Sequence, residues 1–450
     1  MPARPEPPAA RTLLLLTLAA LAVRVVFLVL EPATPPVADE QVWVKWARHV
    51  GNPRVAFHPL RTQFVFHPPL YPYFLAVPLG LTGSLQAAKW AQVALSVLLV
   101  PAVGRVGGQA FGARAGLLAA GLAAFYPELV WLAAHFWVET LFTVLVWWGF
   151  ERLLAADARA RTGPALAAGG LWGLAVLARE TLLYFIPLAA LWLVWGRRGA
   201  GGGRRAAALA LASVLVVAPW TWRNWVEFDA FVPVSTAGGL NLFQGNAPLS
   251  RQEVYDEYYA VSGYVGQYRH AVSRGLESIR ERQPTWLFEK MVEQMPMFWE
   301  AESMAAIHIK RGAYGAVPER WAIAFALLLL LPYLALLPPF VAGLAGARYE
   351  RAQVVLAAFV VYYNLIHVVT HGFNRYRLPV MPVVFLFASW AILAWRAGSF
   401  PKLSPARKAV AAALGLTLLL SLVPSIRHAR HPAYGFGSSS AETSDESPPE

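Results

Sequence analysis

The sequence contains no cysteine and comparatively few charged residues. Without cysteine, its 450 residues can form neither disulfides nor thiolate metal sites. Charged residues make up 14% of the chain and hydrophobic residues 57%, which leaves too little polar surface to cover a soluble globule. We therefore predict an integral membrane protein whose stability comes from helix packing.

Long apolar segments recur from Leu13 to Val423. A helix that crosses about 30 Å of hydrocarbon needs roughly 20 apolar residues. On that criterion we predict an all-α polytopic protein with about eleven transmembrane helices, and the Pro-rich stretch 70–81 is a further candidate. No small-residue cleavage site follows the first apolar segment, so we expect that segment to be retained. The predicted spans are 12–30, 86–104, 115–127, 130–150, 164–178, 181–196, 206–221, 320–342, 353–370, 378–395 and 409–424.

Basic residues cluster in alternate loops, which are therefore expected to face the cytoplasm. Topology and contact with anionic lipid headgroups account for most of the formal net charge of +12, and no aromatic-basic stripe indicates a nucleic-acid partner. We predict a multi-pass protein of the cytoplasmic (inner) membrane with two long extracytoplasmic segments, 31–85 and 222–319. The basic residues on the cytoplasmic side are Arg4, Arg11, Arg105, Arg114, Arg152, Arg159, Arg161, Arg197, Arg198, Arg204, Arg205, Arg348, Arg351, Arg396, Lys402, Arg407 and Lys408.

The two outer segments are expected to contain interfacial helices and no separate enzyme domain. Apolar residues recur at three-to-four spacing over 42–50, the pattern of an amphipathic helix on the membrane surface. The second segment begins with a turn-rich run over 233–246, predicted to be a loop, and continues as a polar helical stretch over 251–311. Residues 1–424 form one membrane domain in this prediction, and the acidic tail 425–450 is expected to be disordered.

Three acidic residues lie where an ionised group needs an explanation. Asp39 and Glu40 stand at the membrane border, where a carboxylate can accept a proton from a hydroxyl as general-base catalysis requires. Asp39 can equally be the N-cap of the helix that follows it. Glu139 falls inside an apolar span, which favours either a functional cavity or a structural ion pair. Its neighbour His135 is interpreted as a packing residue.

Basic residues on the outer side run against the charge rule and form candidate phosphate sites. Arg375 and Arg377 open the tenth span, where two guanidiniums match a phosphate by bidentate hydrogen bonds and can stabilise charge on a phosphate leaving group. The alternative to a phosphate site is that both arginines extend from the helix end to the lipid headgroups. Arg179, with Glu180 available to neutralise it, is a second candidate, and His67 is a possible cation near the same site.

Five short motifs in this order resemble the GT-C glycosyltransferase superfamily. The resemblance covers nearly the whole chain and is specific to the bacterial branch related to protein O-mannosyltransferases and to the lipid A aminoarabinose transferase. Each motif alone is short, but all five fall on matching sides of the membrane. They are Asp39-Glu40, His67-Pro-Pro-Leu-Tyr71, Glu139, Gly238-Gly-Leu-Asn241-Leu-Phe-Gln-Gly-Asn246 and Arg375-Tyr376-Arg377-Leu-Pro379.

The resemblance implies a GT-C fold and transfer of a sugar, with inversion, from a polyprenyl-phosphate carrier to a hydroxyl acceptor at the outer face of the membrane. Asp39 would be the general base, and Glu40 and Glu139 would shape or orient the acceptor site. The donor phosphate would be held by Arg375 and Arg377, with His67 and Arg179 in support. The residues implied in acceptor or loop contacts are Tyr71, Asn241, Asn246 and Tyr376.

Two positions depart from the family pattern. His67 stands where relatives commonly have lysine, which changes the charge expected there at neutral pH. Phe66 stands where some relatives place an acid beside a bound metal. We therefore predict no metal and no cofactor, with the lipid-linked sugar itself as the donor substrate.

A polytopic transporter or flippase for a lipid-linked sugar is the alternative function. Such a protein also needs membrane cavities, charged residues and arginines that bind phosphate. The chain shows no internal repeat of the kind common in transporters, and its charges cluster at the outer face. Neither the sugar nor the acceptor, whether lipid, glycan or protein, follows from the sequence.

Overall fold

The structure, a computed structural model, describes residues 8–31, 34–51, 65–195 and 201–422. Within these ranges the chain is built of α-helices without β-strands, so the predicted all-α polytopic membrane fold is confirmed. Two short 3₁₀ helices cover Glu180–Leu182 and Asn374–Val380. The α-helices are α1 (Ala10–Leu30), α2 (Asp39–Val50), α3 (Leu70–Thr82), α4 (Leu85–Ser96), α5 (Leu99–Phe111), α6 (Ala113–Phe125), α7 (Pro127–Ala134), α8 (Val138–Arg159), α9 (Thr162–Ala178), α10 (Phe185–Trp195), α11 (Gly202–Phe228), α12 (Ala237–Asn246), α13 (Arg251–Tyr259), α14 (Tyr264–Glu281), α15 (Trp286–Phe298), α16 (Met304–Lys310), α17 (Glu319–Gly346), α18 (Arg351–Val369), α19 (Met381–Arg396) and α20 (Pro405–Leu420).

Every predicted span overlaps at least one helix, and the Pro-rich stretch 70–81 is helix α3. Six stretches of the described chain are long and apolar enough to cross a membrane, or seven if the bent pair α6 and α7 is one span. The helices α3 and α9 and the stretch Glu180–Trp195 are apolar but shorter. The total of about eleven crossings therefore stays a prediction.

The predicted span 130–150 is wrong as a single helix. Helix α7 ends at Ala134, and α8 begins at Val138 after an extended segment. The Gln92 side-chain amide donates to the carbonyls of Leu132 at 2.9 Å and Ala133 at 3.3 Å, which satisfies groups that the helix end leaves unpaired. Because of this break, Glu139 lies in the first turn of a helix rather than along its middle.

A buried arginine in the first span also stabilises a helix end. Arg24 is 1% exposed, and its guanidinium donates to the carbonyl of Ala124 at 2.8 Å and to that of Ala123 at 3.3 Å. These are among the last carbonyls of α6, the end of a helix at which a cation is favourable. The intramembrane charge at this position therefore has a structural explanation.

Small residues allow the membrane helices to approach closely. A Cβ at Gly107 of α5 would lie 2.6 Å from the Cα of Gly116 in α6. Gly149 of α8 leaves room for the Trp172 indole, whose N–H donates to the Val146 carbonyl at 3.1 Å. Close backbone approach is a main source of helix association where the surrounding solvent is lipid, which fits the expectation of stability without disulfides.

The turn-rich run 233–246 contains helix α12, so the prediction of a loop there is wrong. Leu240 and Phe243 of α12 pack into a small core with Val254, Tyr258 and Ala271. The glycines in and around this helix permit close packing and do not form turns. A Cβ at Gly275 of α14, for example, would lie 2.8 Å from the Leu242 side chain. The polar helical stretch predicted over 251–311 corresponds to α13–α16.

Helix α2 has the amphipathic character predicted for it. Trp43, Val44, Ala47 and Val50 are buried, and α2 packs against α3, where the rings of Trp43 and Tyr71 are 5.4 Å apart. This packing fixes the start of α2 relative to the membrane helices. Residues 425–450, for which we predict disorder, lie outside the described residues. The same holds for 52–64, the middle of the first of the two predicted extracytoplasmic segments.

Candidate active site

Asp39 is the first residue of α2, and its carboxylate is not used to cap the helix. The N-cap position is Ala38, and no side chain caps this end of α2, so the N-cap alternative is wrong. The carboxylate instead accepts a hydrogen bond from the Arg375 guanidinium and forms an ion pair with it. The Asp39 side chain remains 32% exposed and that of Arg375 17% exposed. A carboxylate and a guanidinium therefore meet at a site that a ligand can reach.

The local electrostatics keep Asp39 ionised and two nearby histidines neutral at pH 7. Burial alone would raise the pKa of the Asp39 carboxyl, but Arg375 outweighs it and the pKa lies below its usual value. Burial lowers the pKa of His67 to about 4 despite the neighbouring Asp39 carboxylate. Burial likewise lowers the pKa of His308 to about 4. A neutral imidazole can still exchange hydrogen bonds with a ligand, but it supplies no positive charge.

Arg375 is held in place by aromatic rings and by a second carboxylate. It lies at the start of the 3₁₀ helix Asn374–Val380, and its guanidinium carbon is 4.9 Å from the centre of the Trp137 ring and 5.3 Å from that of Tyr376. Its Nε is 4.0 Å from the Glu139 carboxylate and has no hydrogen-bond partner among the described residues. Stacking of this kind orients a guanidinium while leaving some of its N–H donors available.

Glu139 and Arg179 extend the site into a chain of alternating charges. The Arg179 guanidinium donates to Glu139 Oε1, and it stacks on the other aromatic neighbour of Arg375, Tyr376, at 4.6 Å. Glu139 lies in the first turn of α8, where a negative charge is favourable. The ion-pair partner of Arg179 is thus Glu139 and not Glu180, whose carboxylate accepts from the Ser235 hydroxyl at 3.0 Å, although the charge of Arg179 still acts on Glu180.

Glu40 points away from its neighbour Asp39. It is 2% exposed, and its two carboxylate oxygens accept the backbone N–H groups of Phe136 at 2.8 Å and Val37 at 3.1 Å. These bonds join the start of α2 to the break between α7 and α8. The structure therefore places Glu40 where it supports the position of Asp39.

Arg377 has different partners from those of Arg375. It is 1% exposed, donates to the Glu300 carbonyl, and lies 3.6 Å from the Glu128 carboxylate. Its guanidinium also stacks on the Tyr333 ring at 4.2 Å. The two arginines of the Arg-Tyr-Arg motif thus project to different sides of the 3₁₀ helix, and the contacts of Arg377 are those of a structural ion pair.

The four predicted acceptor or loop residues occupy different surroundings. Tyr376 lies between the two arginines of the site, as described above. Tyr71 is buried and donates to the Gln92 side chain at 2.6 Å, so it supports the α7 end. Asn241 is half-buried on α12.

Asn246 of α12 connects helices α12 and α15 to the segment that leads to Arg375. Its side-chain amide donates to the carbonyl of Val369 at 2.8 Å, and its side-chain oxygen accepts the Trp286 indole N–H at 2.8 Å. Close by, Lys290 donates to the carbonyl of Gly245, and Gln294 accepts the N–H of Gly372 at 2.7 Å. Helices α12 and α15 therefore hold 369–372, the residues that lead to Arg375.

Sequence reasoning missed two residues of the site, Trp137 and His308. His308 comes from helix α16, within a stretch predicted only as polar helix, and no motif marks it. Trp137 lies two residues before Glu139 in the extended break before α8, and its role depends on that break. A tryptophan beside an intramembrane acid is a weak signal, since tryptophan is also common at membrane interfaces.

No group of three or more histidine, aspartate or glutamate side chains that could hold a metal ion occurs in the described parts of the chain. The ring of Phe66 packs against that of His67 at 4.6 Å, and a hydrocarbon ring offers no ligand. Independence of a metal stays a prediction.

Part of the sequence matches the profile of a known protein family. The sequence profile described as dolichyl-phosphate-mannose-protein mannosyltransferase matches residues 66–222. That region contains His67, Glu139 and Arg179. A search of curated proteins found no match.

Two groups of solved structures share the fold. ArnT from Cupriavidus metallidurans bound to undecaprenyl phosphate matches with a TM-score of 0.52 at 16% identity, over 94% of this chain and 64% of that one. The oligosaccharyltransferase AglB from Archaeoglobus fulgidus, in complex with an inhibitory peptide and a dolichol-phosphate, matches with a TM-score of 0.52 at 16% identity, over 92% of this chain and 55% of that one. The chain thus spans less than two thirds of the length of these proteins.

The fold is that of the polytopic GT-C proteins. Residues 66–222 are in addition similar in sequence to the protein mannosyltransferases.

Proposed function

We propose that this protein is a glycosyltransferase that moves a sugar from a polyprenyl-phosphate-linked donor to a hydroxyl acceptor at the extracytoplasmic face of the cytoplasmic membrane. The observation that carries the proposal is the partly open pair of Asp39 and Arg375. One group can accept a proton and the other can hold a phosphate. The proposal is supported by the bound undecaprenyl phosphate and dolichol-phosphate of the two structural neighbours.

The proposed reaction is a single displacement at the anomeric carbon of the donor. The acceptor oxygen forms a bond to that carbon while the bond from the carbon to the phosphate oxygen breaks. The acceptor proton passes to the Asp39 carboxylate, and the electron pair of the broken bond stays on the phosphate beside Arg375. Because the acceptor oxygen attacks the anomeric carbon directly and Asp39 acts only as the base, the product has the inverted anomeric configuration.

Arg375 is expected to change partners when the donor binds. In the free protein it neutralises Asp39 and keeps the pKa of that carboxyl low, which makes Asp39 a weak base. A donor phosphate that takes up the guanidinium N–H donors would weaken this ion pair and raise the Asp39 pKa towards its usual value. The base would therefore become stronger when the leaving group is in place.

The remaining charged residues have supporting roles in this account. Glu139 counters the two arginines, Arg179 and Arg375, and keeps the site near neutrality before the donor arrives. Glu40 fixes the start of α2 through its backbone contacts. His67, which is neutral, can donate a hydrogen bond to the phosphate without adding charge.

The experiment that tests the function uses the purified protein in lipid with a panel of radiolabelled polyprenyl-phosphate sugars and envelope extract as the source of acceptors. We expect one or more sugars to become attached to an acceptor with inversion at the anomeric carbon. Transfer with retained configuration would contradict the single-displacement mechanism. Movement of the intact donor between leaflets without transfer would favour the transport alternative.

Between about pH 5.5 and pH 8 we expect no inflection in the rate of transfer from His67 or His308, because neither changes charge in that range. Asp39, whose pKa lies below its usual value in the free protein, also stays ionised. Protonation of the Asp39 carboxyl should lower the rate at acid pH, and the fall should begin at a higher pH in the donor complex than the low pKa of the free protein implies. The measurement is kcat/KM against pH for the wild type and for His67→Gln. An inflection near the usual histidine pKa that His67→Gln removes would contradict the assignment of a neutral His67.

The Gly245→Ala variant is expected to transfer sugar about 10²-fold more slowly than the wild type, because the added methyl group displaces Arg375. A Cβ at Gly245 would overlap the Thr370 carbonyl, and the chain from Thr370 leads directly to Arg375. Transfer rate and thermal unfolding midpoint should be measured together, with Gly170→Ala as the matched control because its Cβ would meet open space. Equal transfer by Gly245→Ala and Gly170→Ala would refute a role for this contact in positioning Arg375.

A further inference from the structure

The start of helix α12 is bonded to the segment that precedes His67. The Thr236 N–H donates to the Val65 carbonyl at 2.8 Å, and the Ala237 N–H donates to the Phe66 carbonyl at 3.1 Å. These two bonds satisfy N–H groups that lie at a helix start and have no partner within the helix. They also fix the backbone immediately before His67.

Through this segment the start of α12 is linked to Asp39. The ring of His67 lies 4.9 Å from that of Trp43, which is buried on α2, the helix that begins with Asp39. The other end of α12 has a different neighbour, because Asn246 holds the segment that leads to Arg375. The two ends of α12 therefore contact the surroundings of the two reacting groups separately.

A carboxylate from the membrane domain holds the start of α12. Glu180 lies in the turn between α9 and α10, and its carboxylate accepts the hydroxyl of the buried Ser235 at 3.0 Å. A Cβ at Gly238, the second residue of α12, would lie 2.6 Å from Glu180 Oε1. The N-cap residue Thr236 makes no capping hydrogen bond with its own side chain. A negative charge is favourable at this end of a helix, so Glu180 supplies the cap from another part of the chain.

The charged and titratable groups around Glu180 come from three elements. Arg179 precedes it and acts on its charge, although Arg179 itself pairs with Glu139. The charge of Glu180 acts in turn on Tyr184, just before α10, and on Tyr268 of α14. Burial raises the pKa of the Glu180 carboxyl to about 7, while the donors at the start of α12 and the Arg179 charge favour its ionised form. At pH 8 the carboxylate is therefore the main form.

We propose that Glu180 is a positioning residue for sugar transfer, which holds the start of α12 and thereby the location of Asp39 relative to the donor at Arg375. The inference rests on the proposed function, because it takes Asp39 as the base and Arg375 as the ligand of the donor phosphate. It assigns a role in the reaction to an acid that contacts neither of them.

The Glu180→Ala variant is expected to have a kcat about 10²-fold below that of the wild type and to bind undecaprenyl phosphate within about threefold of it. A loosened start of α12 allows Asp39 to shift, whereas Asn246 still holds the segment before Arg375. Gly245→Ala, which alters the other end of α12, should instead weaken both transfer and undecaprenyl phosphate binding. This difference separates the two ends of the helix.

The measurement uses the full-length protein in lipid nanodiscs at pH 8, with the donor and acceptor that the wild type uses. Transfer, undecaprenyl phosphate affinity and amide hydrogen exchange are recorded on the same preparations. In Glu180→Ala, exchange should become faster over 234–240 and 39–50 and stay unchanged in α19. Glu319→Ala is the control, because Glu319 is an exposed acid in the first turn of α17 and lies on the same predicted side of the membrane.

The Ser235→Ala variant tests the same contact from the side of α12, and it replaces Glu180→Ala if that variant does not fold. It removes one hydrogen bond to a carboxylate and should lower kcat by about tenfold. Added to Glu180→Ala, it should cause no further loss, because the contact is already absent. Losses that multiply in the double variant would overturn the inference.

The outcomes separate this inference from the function on which it rests. A wild type that transfers no sugar would overturn the proposed function, and amide exchange would then still decide whether Glu180 holds α12 and α2. Unchanged exchange over 234–240 and 39–50 in Glu180→Ala would overturn the inference alone. Transfer by Glu180→Ala within about threefold of the wild type would do the same. So would a parallel loss of undecaprenyl phosphate affinity, which would show that Glu180 acts through Arg179 and Arg375.

Discussion

Replacement of Asp39 by asparagine is expected to lower sugar transfer by about 10²- to 10⁴-fold, the usual contribution of a general base. The same change should leave binding of undecaprenyl phosphate unchanged or make it tighter. In the wild type the Asp39 carboxylate competes with the donor phosphate for Arg375, and an amide does not. Loss of transfer together with undiminished binding would distinguish a catalytic base from a residue that only holds the ligand.

Transfer and undecaprenyl phosphate affinity should be measured on the same preparations of wild type and Asp39→Asn, with the unfolding midpoint as a check on folding. Asp256→Asn is the matched control, because Asp256 lies on α13 and accepts a hydrogen bond from its helix neighbour Gln252 at 2.8 Å. The general-base role of Asp39 would be excluded if Asp39→Asn retained transfer within about tenfold of the wild type.

The Arg375→Gln and Arg377→Gln variants are expected to have different defects, although only one residue separates the two positions. Arg375→Gln should weaken undecaprenyl phosphate binding by about 10- to 100-fold, as expected for a charge-assisted contact to phosphate. Arg377→Gln should leave that affinity near the wild-type value in the fraction that folds. It should instead reduce stability by about 3–5 kcal/mol, because it removes one partner of a buried ion pair and leaves Glu128 uncompensated.

Thermal unfolding and ligand affinity, measured for both variants, separate these effects. Arg377→Gln combined with Glu128→Gln should recover part of the lost stability, since the unpaired charge is then absent. Normal phosphate binding by Arg375→Gln, or a selective loss of phosphate binding in a stable Arg377→Gln protein, would reverse the assignments of the two arginines.

The membrane fold could be predicted from the sequence because each crossing requires a long apolar segment, whatever its neighbours are. What could not be predicted depends on contacts between segments. The break between α7 and α8 is stabilised by Gln92 from another helix, and α12 is helical because Leu240 and Phe243 have partners on α13 and α14. Glycine content alone indicated a loop there, whereas the glycines serve close packing.

The structure brings together two residues, Asp39 and Arg375, that the sequence assigns to the same side of the membrane. The predicted topology is compatible with a contact between them, but their pairing joins residues 336 positions apart and required the structure. The sequence likewise could not separate Arg375 from Arg377, because their different directions arise from the 3₁₀ geometry of the motif. His308 carries no local signal, and it reaches the site only through the packing of α16.

In the proposed reaction this protein breaks the bond between sugar and phosphate in a lipid-linked donor. The most direct measurement quantifies, in one sample of proteoliposomes, the undecaprenyl phosphate released, the sugar attached to acceptor and the intact donor on each side of the bilayer. We predict equal amounts of released undecaprenyl phosphate and transferred sugar, both lowered by about 10²-fold or more in Asp39→Asn. Intact donor that reaches the opposite leaflet with no undecaprenyl phosphate formed, and equally so with Asp39→Asn, would contradict the account and indicate a transporter.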